Sequence, residues 1–240
     1  MGNAFAVIFG LSFIFAMTVT GALLACFIPE KGFGKCFPYL NGFSGGVMVA
    51  ASLWSLVLPA LGSAGEHAAL KVALGIALGG AFIFVFAFIF PEDEKAGFSR
   101  LFVAMTAHNI PEGMAVGLAF ALSGGADGLT AAAALALGIG VQNVPEGAAV
   151  SLPLRRLGMS RGRAFSMGVL SGAVEPLFGM LAVMAVSGIS QIMPWLLGFS
   201  AGAMLYVVVC ELIPAADDRR GLFWYVAGFL LMMILDVALG

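Results

Sequence analysis

Two short runs hold the residues of this chain that can do chemistry. His108-Asn109-Ile110-Pro111-Glu112-Gly113 is echoed about 34 residues later by Gln142-Asn143-Val144-Pro145-Glu146-Gly147. Each run sets an amide, a carboxylate and a helix-breaking proline inside an otherwise apolar stretch. A charged side chain in such a stretch is costly, so its presence marks a functional site by default. On a helix, His108 and Glu112 share a face, with Asn109 beside them; Gln142, Asn143 and Glu146 are the second set. Pro111 and Pro145 donate no backbone N–H, which frees the carbonyls of Ala107 and Val141. Carbonyls freed in hydrocarbon need partners or a polar cavity. A cation supplies such a partner. With Glu175 from a third apolar stretch, the set is three carboxylates, one imidazole, amides and spare carbonyls. That donor set suits a divalent metal of borderline hardness, such as Zn, Fe, Mn or Cd. Clustered carboxylates repel one another when no cation is present, so metal release coupled to proton uptake is expected.

The elements that must position these residues are membrane helices. Of 240 residues, 61% are hydrophobic and only 10% charged, and mean hydropathy is +1.06. Soluble domains carry about 25% charged residues. The thirty-three glycines suit closely packed membrane helices. A bilayer core takes about 20 apolar residues per helix. Apolar runs predict eight helices, roughly over 4–28, 40–61, 70–90, 98–122, 129–153, 164–187, 191–213 and 221–239. The expectation is an all-α membrane protein in which residues 1–240 form one integral membrane domain, with no room for a soluble one. Cys26, Cys36 and Cys210 follow no metal-ribbon or disulfide spacing and are expected as free thiols. Leu23-Leu24-Ala25-Cys26 resembles a lipoprotein cleavage site, but no basic segment precedes it, and the run is read as a retained first helix.

Orientation follows from Lys and Arg. Ten of the eleven fall in odd-numbered loops (Lys31, Lys35, Lys95, Arg100, Arg155, Arg156, Arg161, Arg163, Arg219 and Arg220); only Lys71 falls in an even one. Odd loops are therefore cytoplasmic and both termini lie outside, in a plasma or bacterial inner membrane. Glu92-Asp93-Glu94 is a solvated cytoplasmic patch. Helix 2 opens Phe43-Ser44-Gly45-Gly46-Val47-Met48 and ends near Leu58-Pro59-Ala60. Helix 7 opens Phe199-Ser200-Ala201-Gly202-Ala203-Met204 and ends near Ile213-Pro214-Ala215. The two run in opposite directions, as do helices 4 and 5. Helices 1–3 thus pair with 6–8, and 4 with 5, as inverted repeats, an arrangement that places binding sites near the bilayer midplane. At about 1.5 Å per residue, His108 lies roughly 15 Å deep. Glu146 reaches a similar depth from the other side, and Glu175 sits at that level on helix 6. Other polar residues have plainer readings. Glu211 is near the cytoplasmic end of helix 7, Asp236 is interfacial, Cys210 packs, and His67 is solvated in an outer loop.

His-Asn-x-Pro-Glu-Gly on the fourth helix and Asn-x-Pro-Glu-Gly on the fifth, with eight helices and outside termini, resemble the ZIP (Zrt-, Irt-like) metal transporters. The helix-7 run Phe199–Val209, with Glu211-Leu212-Ile213-Pro214, is most like the bacterial GufA-type branch. The resemblance implies a 3+2+3 helix arrangement and ligand roles for His108, Asn109, Glu112, Gln142, Asn143 and Glu146. It extends them to Glu175 and Met48, in a binuclear centre sharing Glu112 and Glu146. Many relatives have His at the position of Gln142 and some have Asp at that of Asn143, which implies weaker zinc preference here. The His-rich loop between helices 3 and 4 shrinks to Pro91–Ser99, so sensing by that loop is not implied. The implied activity moves a divalent metal into the cytoplasm, inward past Glu211, with no resident cofactor and no nucleic-acid partner. Metal ions and lipid are its partners, and the reading allows a homodimer. A calcium/cation-type exchanger is the alternative, though such proteins use hard oxygen donors and lack the helix-4 histidine. An intramembrane metalloenzyme is remote, because no His-Glu-x-x-His is present.

Overall fold

The computed structural model describes residues 2–27, 30–63, 65–89, 100–216 and 219–239, and among these there are helices and turns but no strand. Helix α1 is Gly2–Phe27. Helix α2 is Glu30–Ala51, continued by a π-helical segment, Ser52–Val57, and by Leu58–Ser63. Helices α3, α4 and α5 are Ala68–Ile89, Arg100–Leu122 and Gly125–Arg156. Helix α6 is Arg161–Gly172 and, after a break at Ala173, Val174–Met184. Helix α7 is Val186–Val207, continued by a π segment, Val208–Leu212, and Ile213–Ala215; α8 is Arg219–Leu239. All but α4 contain a stretch long and apolar enough to cross a bilayer, which makes seven candidate spans among the described residues where eight were expected. Helix α4 falls short because His108, Asn109, Pro111 and Glu112 lower the hydropathy of its 23 residues.

The boundaries of three helices differ most from expectation, and α7 starts at Val186 instead of 191. Helix α2 starts at Glu30 instead of near 40, so Lys31 and Lys35 lie in its first turns and not in a loop. Helix α5 runs over Gly125–Arg156 in place of 129–153, and takes in Arg155 and Arg156. Basic residues and prolines read as breaks along the sequence. At a helix end, however, arginines complement the exposed carbonyls of the last turn, so the helix continues through them. The acidic cluster Glu92-Asp93-Glu94 lies outside the described residues, as does the Cys36 side chain.

Both π segments have a local cause. Pro59 and Pro214 lack an N–H and leave carbonyls of the preceding turn without the usual partner. The ladder slips to i→i−5, with Leu58 N–H on Leu53 O and Ile213 N–H on Val208 O. Ser52 also donates to the Met48 carbonyl at 2.7 Å, competing with the ladder at that point.

Packing is pairwise: α2 lies on α8, α3 on α7, α1 on α5, and α4 on α6 and α7. In lipid, hydrophobicity does not drive helices together, so close backbone approach must. Glycine provides it where the motif ends. A Cβ at Gly113 would collide with the backbone of Glu175, and one at Gly147 with the carbonyl of Thr18. The outer faces of α3 and α8 are apolar and exposed, through Leu74, Leu78, Phe82 and Phe223, Leu230, Ile234 respectively, as a lipid boundary requires.

Candidate metal centre

Where α4 meets α5, one ligand atom each from His108, Glu112 and Glu146 lies within 4.8 Å of the others. All three side chains are 0–1% exposed. The helices are cross-linked in mirror fashion. His108 Nε2 lies 3.1 Å from Glu146 Oε2, and Gln142 Nε2 donates to Glu112 Oε1 at 2.7 Å. Each carboxylate keeps a second oxygen with no hydrogen-bond partner, Glu112 Oε2 and Glu146 Oε1.

The amides add further oxygens. Asn109 Nδ2 donates to the Ser171 carbonyl of α6 at 3.0 Å, and Asn143 Nδ2 donates to the Ile14 carbonyl of α1 at 3.2 Å. A carbonyl accepts only from N–H, so these contacts fix which amide atom points where. Asn109 Oδ1, Asn143 Oδ1 and Gln142 Oε1 are then buried without partners. Buried acceptors of this kind are costly unless something electron-poor meets them. A cation at the His108–Glu112–Glu146 cluster does so, and the two carboxylates balance a dication. The donor set of carboxylate, imidazole and amide oxygens fits a borderline transition metal better than calcium, which takes oxygens alone.

The other expected residues lie at different distances from this cluster. Glu175 is fully buried at the break in α6, but both its oxygens are taken: Thr18 Oγ1 donates to Oε1 at 2.8 Å and Asn143 Nδ2 to Oε2 at 3.0 Å. Met48 is fully buried on α2 in the core that holds Met105 and Met204. Glu211 is half-buried in the π segment of α7. Asp236 is more enclosed than an interfacial reading implies; Ser55 donates to it at 2.8 Å in a cleft of about 350 Å³ beside Trp54 and Gly138. Cys26 and Cys210 are free thiols, and His67 sits in an exposed turn at a φ of 59°.

Three supports had no motif to announce them. Thr18 holds Glu175, Ser200 Oγ donates to the His108 carbonyl at 3.1 Å, and Ser44 Oγ approaches the Pro145 carbonyl at 3.5 Å. Ser44 and Ser200 head the two matching runs of α2 and α7, and that repeat was the available signal. For Thr18 the signal was spacing: it lies 157 residues before Glu175, the same separation that relates Ile14 to Ser171.

Known proteins resemble this chain along most of its length. The family described as "ZIP Zinc transporter" matches residues 95–236. "Zinc transporter GufA" of Myxococcus xanthus is 42% identical over 212 residues, covering 78% of this chain and 81% of its own. "Zinc transporter ZIPB" of Bordetella bronchiseptica is 38% identical over 94% of this chain and 79% of its own. Human "Zinc transporter ZIP11" is 33% identical over 99% of this chain and 98% of its own. These relatives are transporters and not enzymes. A buried constellation of cation-seeking oxygens within apolar helices, matched to that family across its motif-bearing half, makes this chain a member of the ZIP family of metal transporters.

Proposed function

We propose that this protein carries zinc, or a related divalent transition metal such as Cd, Fe or Mn, into the cytoplasm by alternating access. The metal binds between His108, Glu112 and Glu146, with the oxygens of Asn109, Gln142 and Asn143 completing its shell. The carrying observation is that His108, Glu112 and Glu146 converge, buried, where α4 crosses α5, with Glu112 Oε2 and Glu146 Oε1 left unpaired. The relatives named as zinc transporters support zinc as the first ion to test.

Eight membrane helices in a 3+2+3 arrangement, with 1–3 inverted onto 6–8 and 4 onto 5, account for the packing. Under that exchange the α1–α5 pair becomes α6–α4, and α2–α8 becomes α7–α3, so the set of contacts maps onto itself. The His108–Glu146 and Gln142–Glu112 links exchange in the same way. Alternating access then follows as a shift of the site-bearing helices against α2, α3, α7 and α8, with inward release past Glu211. Both termini lie outside a plasma or inner membrane on the lysine and arginine distribution.

The test is metal uptake into proteoliposomes by Glu112→Gln and Glu146→Gln variants, with Zn, Cd, Fe, Mn and Co in competition. Both variants should lose uptake at least about 10- to 100-fold, the loss seen when even outer-shell partners of metal ligands are removed. Wild-type flux in both ends the reading.

A further inference from the structure

The helices fall into two groups by their closest contacts. A Cβ at Gly21 or Gly147 would strike backbone across the α1–α5 seam, one at Gly113 across α4–α6, one at Gly46 across α2–α8 and one at Gly202 across α7–α3. Among the described glycines, every such approach within 3.0 Å of another helix's backbone stays inside α1, α4, α5 and α6 or inside α2, α3, α7 and α8. Near the metal centre, side chains link the groups, Ser200 Oγ to the His108 carbonyl and Ser44 Oγ to that of Pro145. Toward the outer ends a cleft of about 340 Å³ lies between them, walled by Ser55, Pro59 and Ser63 of α2, Leu118 and Leu122 of α4 and Leu135 of α5. At the other end of α5, roughly 30 Å from Leu135, the Arg156 guanidinium lies over the Phe37 ring of α2, 4.7 Å from its centroid.

We propose that Arg156 and Phe37 form a latch across the two groups, holding the inner ends of α5 and α2 together while the outer ends stand apart, and that it must open before metal leaves inward. The inference rests on the alternating-access reading and on the orientation that makes this end cytoplasmic. A guanidinium is attracted to a ring face within about 6 Å of the centroid. A shift of α5 along α2 by one helical turn, about 5.4 Å, carries Arg156 out of that range. Arg156 is exposed, so its cation returns to water when the contact breaks and leaves no buried charge behind. Such a contact biases two states without locking either. A neighbouring contact supplies the contrast. Arg220 Nη1 donates to Tyr39 Oη at 3.5 Å, two residues along α2 from Phe37. It ties α8 to α2 inside one group, so relative motion of the groups leaves it intact.

The experiment measures distances between spin labels at Ser63→Cys of α2 and Leu129→Cys of α5, two exposed outer positions on opposite groups. It uses the full chain in lipid nanodiscs, with Cys26, Cys36 and Cys210 replaced by Ala. This parent should show two separations whose ratio changes between zinc and chelator. Phe37→Leu keeps an apolar side chain but removes the ring face, and Arg156→Gln removes the cation. Each should lower the population at the separation of this structure, relative to the other, by about two- to fivefold, the effect of losing an exposed cation–π pair. The double variant should lower it no further than either single change. Phe37→Trp, which offers a stronger ring face, should match or exceed the parent. Tyr39→Phe should leave the ratio unchanged. An unchanged ratio in both Phe37→Leu and Arg156→Gln, or an equal shift in Tyr39→Phe, overturns the latch. Zinc separates the two readings. If zinc moves the ratio and the latch variants do not, the latch alone fails. A single separation with zinc and with chelator ends the alternating-access reading, and the latch with it.

Discussion

At the scale of single residues, the centre is two half-sites that differ in one side chain. His108 and Gln142 hold equivalent places and each cross-links to the carboxylate of the other helix. Histidine brings an imidazole nitrogen; glutamine brings only an amide oxygen, a harder and more weakly held donor. Replacing the oxygen by nitrogen favours borderline metals over hard ones. Gln142→His should therefore raise zinc affinity relative to manganese by about tenfold, equivalent to 1.4 kcal/mol. Competition binding of the two metals to wild type and variant reads this directly, and an unchanged ratio would count against Gln142 facing the ion. His108→Ala should do the reverse, lowering zinc uptake while leaving Glu146 without its partner.

At the scale of elements, the glycine that ends each motif sets how closely helices approach. Gly113 lies against the α6 backbone at Glu175, and Gly147 against α1 at Thr18. Backbone cannot yield as a flexible side chain does, so Gly113→Ala and Gly147→Ala should each destabilise by about 1–3 kcal/mol. Thermal unfolding in a fixed detergent checks this, with Gly62→Ala as a control that meets nothing within 4 Å. The π segments belong to the same scale. The chain is one residue longer between Phe43 and Pro59 than between Phe199 and Pro214. Each helix carries a π segment just before its proline, at Ser52–Val57 in α2 and Val208–Leu212 in α7.

At the scale of the molecule, the buried oxygens make the metal-free protein pay an unpaired-polar cost that a cation relieves. Zinc should stabilise the folded state by about 2.7 kcal/mol at a hundredfold excess over its Kd. The unfolding midpoint should rise with zinc, fall with chelator, and become insensitive to both in Glu112→Gln. A midpoint that follows zinc equally in the variant would place the binding elsewhere. Orientation is tested separately. A protease-cleavable tag at either terminus should be removed by external protease from intact spheroplasts, and protection of both tags would invert the assignment.

Hydropathy, motif and repeat are properties of neighbours along the chain, and these the sequence determined by itself. Apolar runs of bilayer length announced a membrane protein, and the paired Asn-x-Pro-Glu-Gly announced its centre. His108, Glu112 and Glu146 could be named because helical spacing puts such residues on one face, whatever the rest of the fold does. Helix ends were less legible, since Lys31 and Arg155 read as breaks until α2 and α5 are seen to run through them. Only the tertiary structure decided which atoms the site leaves unpaired. Asn143 meets Ile14 129 residues away, Thr18 meets Glu175 at 157, and Ser200 meets the His108 carbonyl at 92. Such partners arise from packing, which brings groups distant in the chain to 2.8–3.2 Å and leaves no local pattern to read. The sequence thus supplied the donors, while packing chose which of them are left unpaired and which hold others in place.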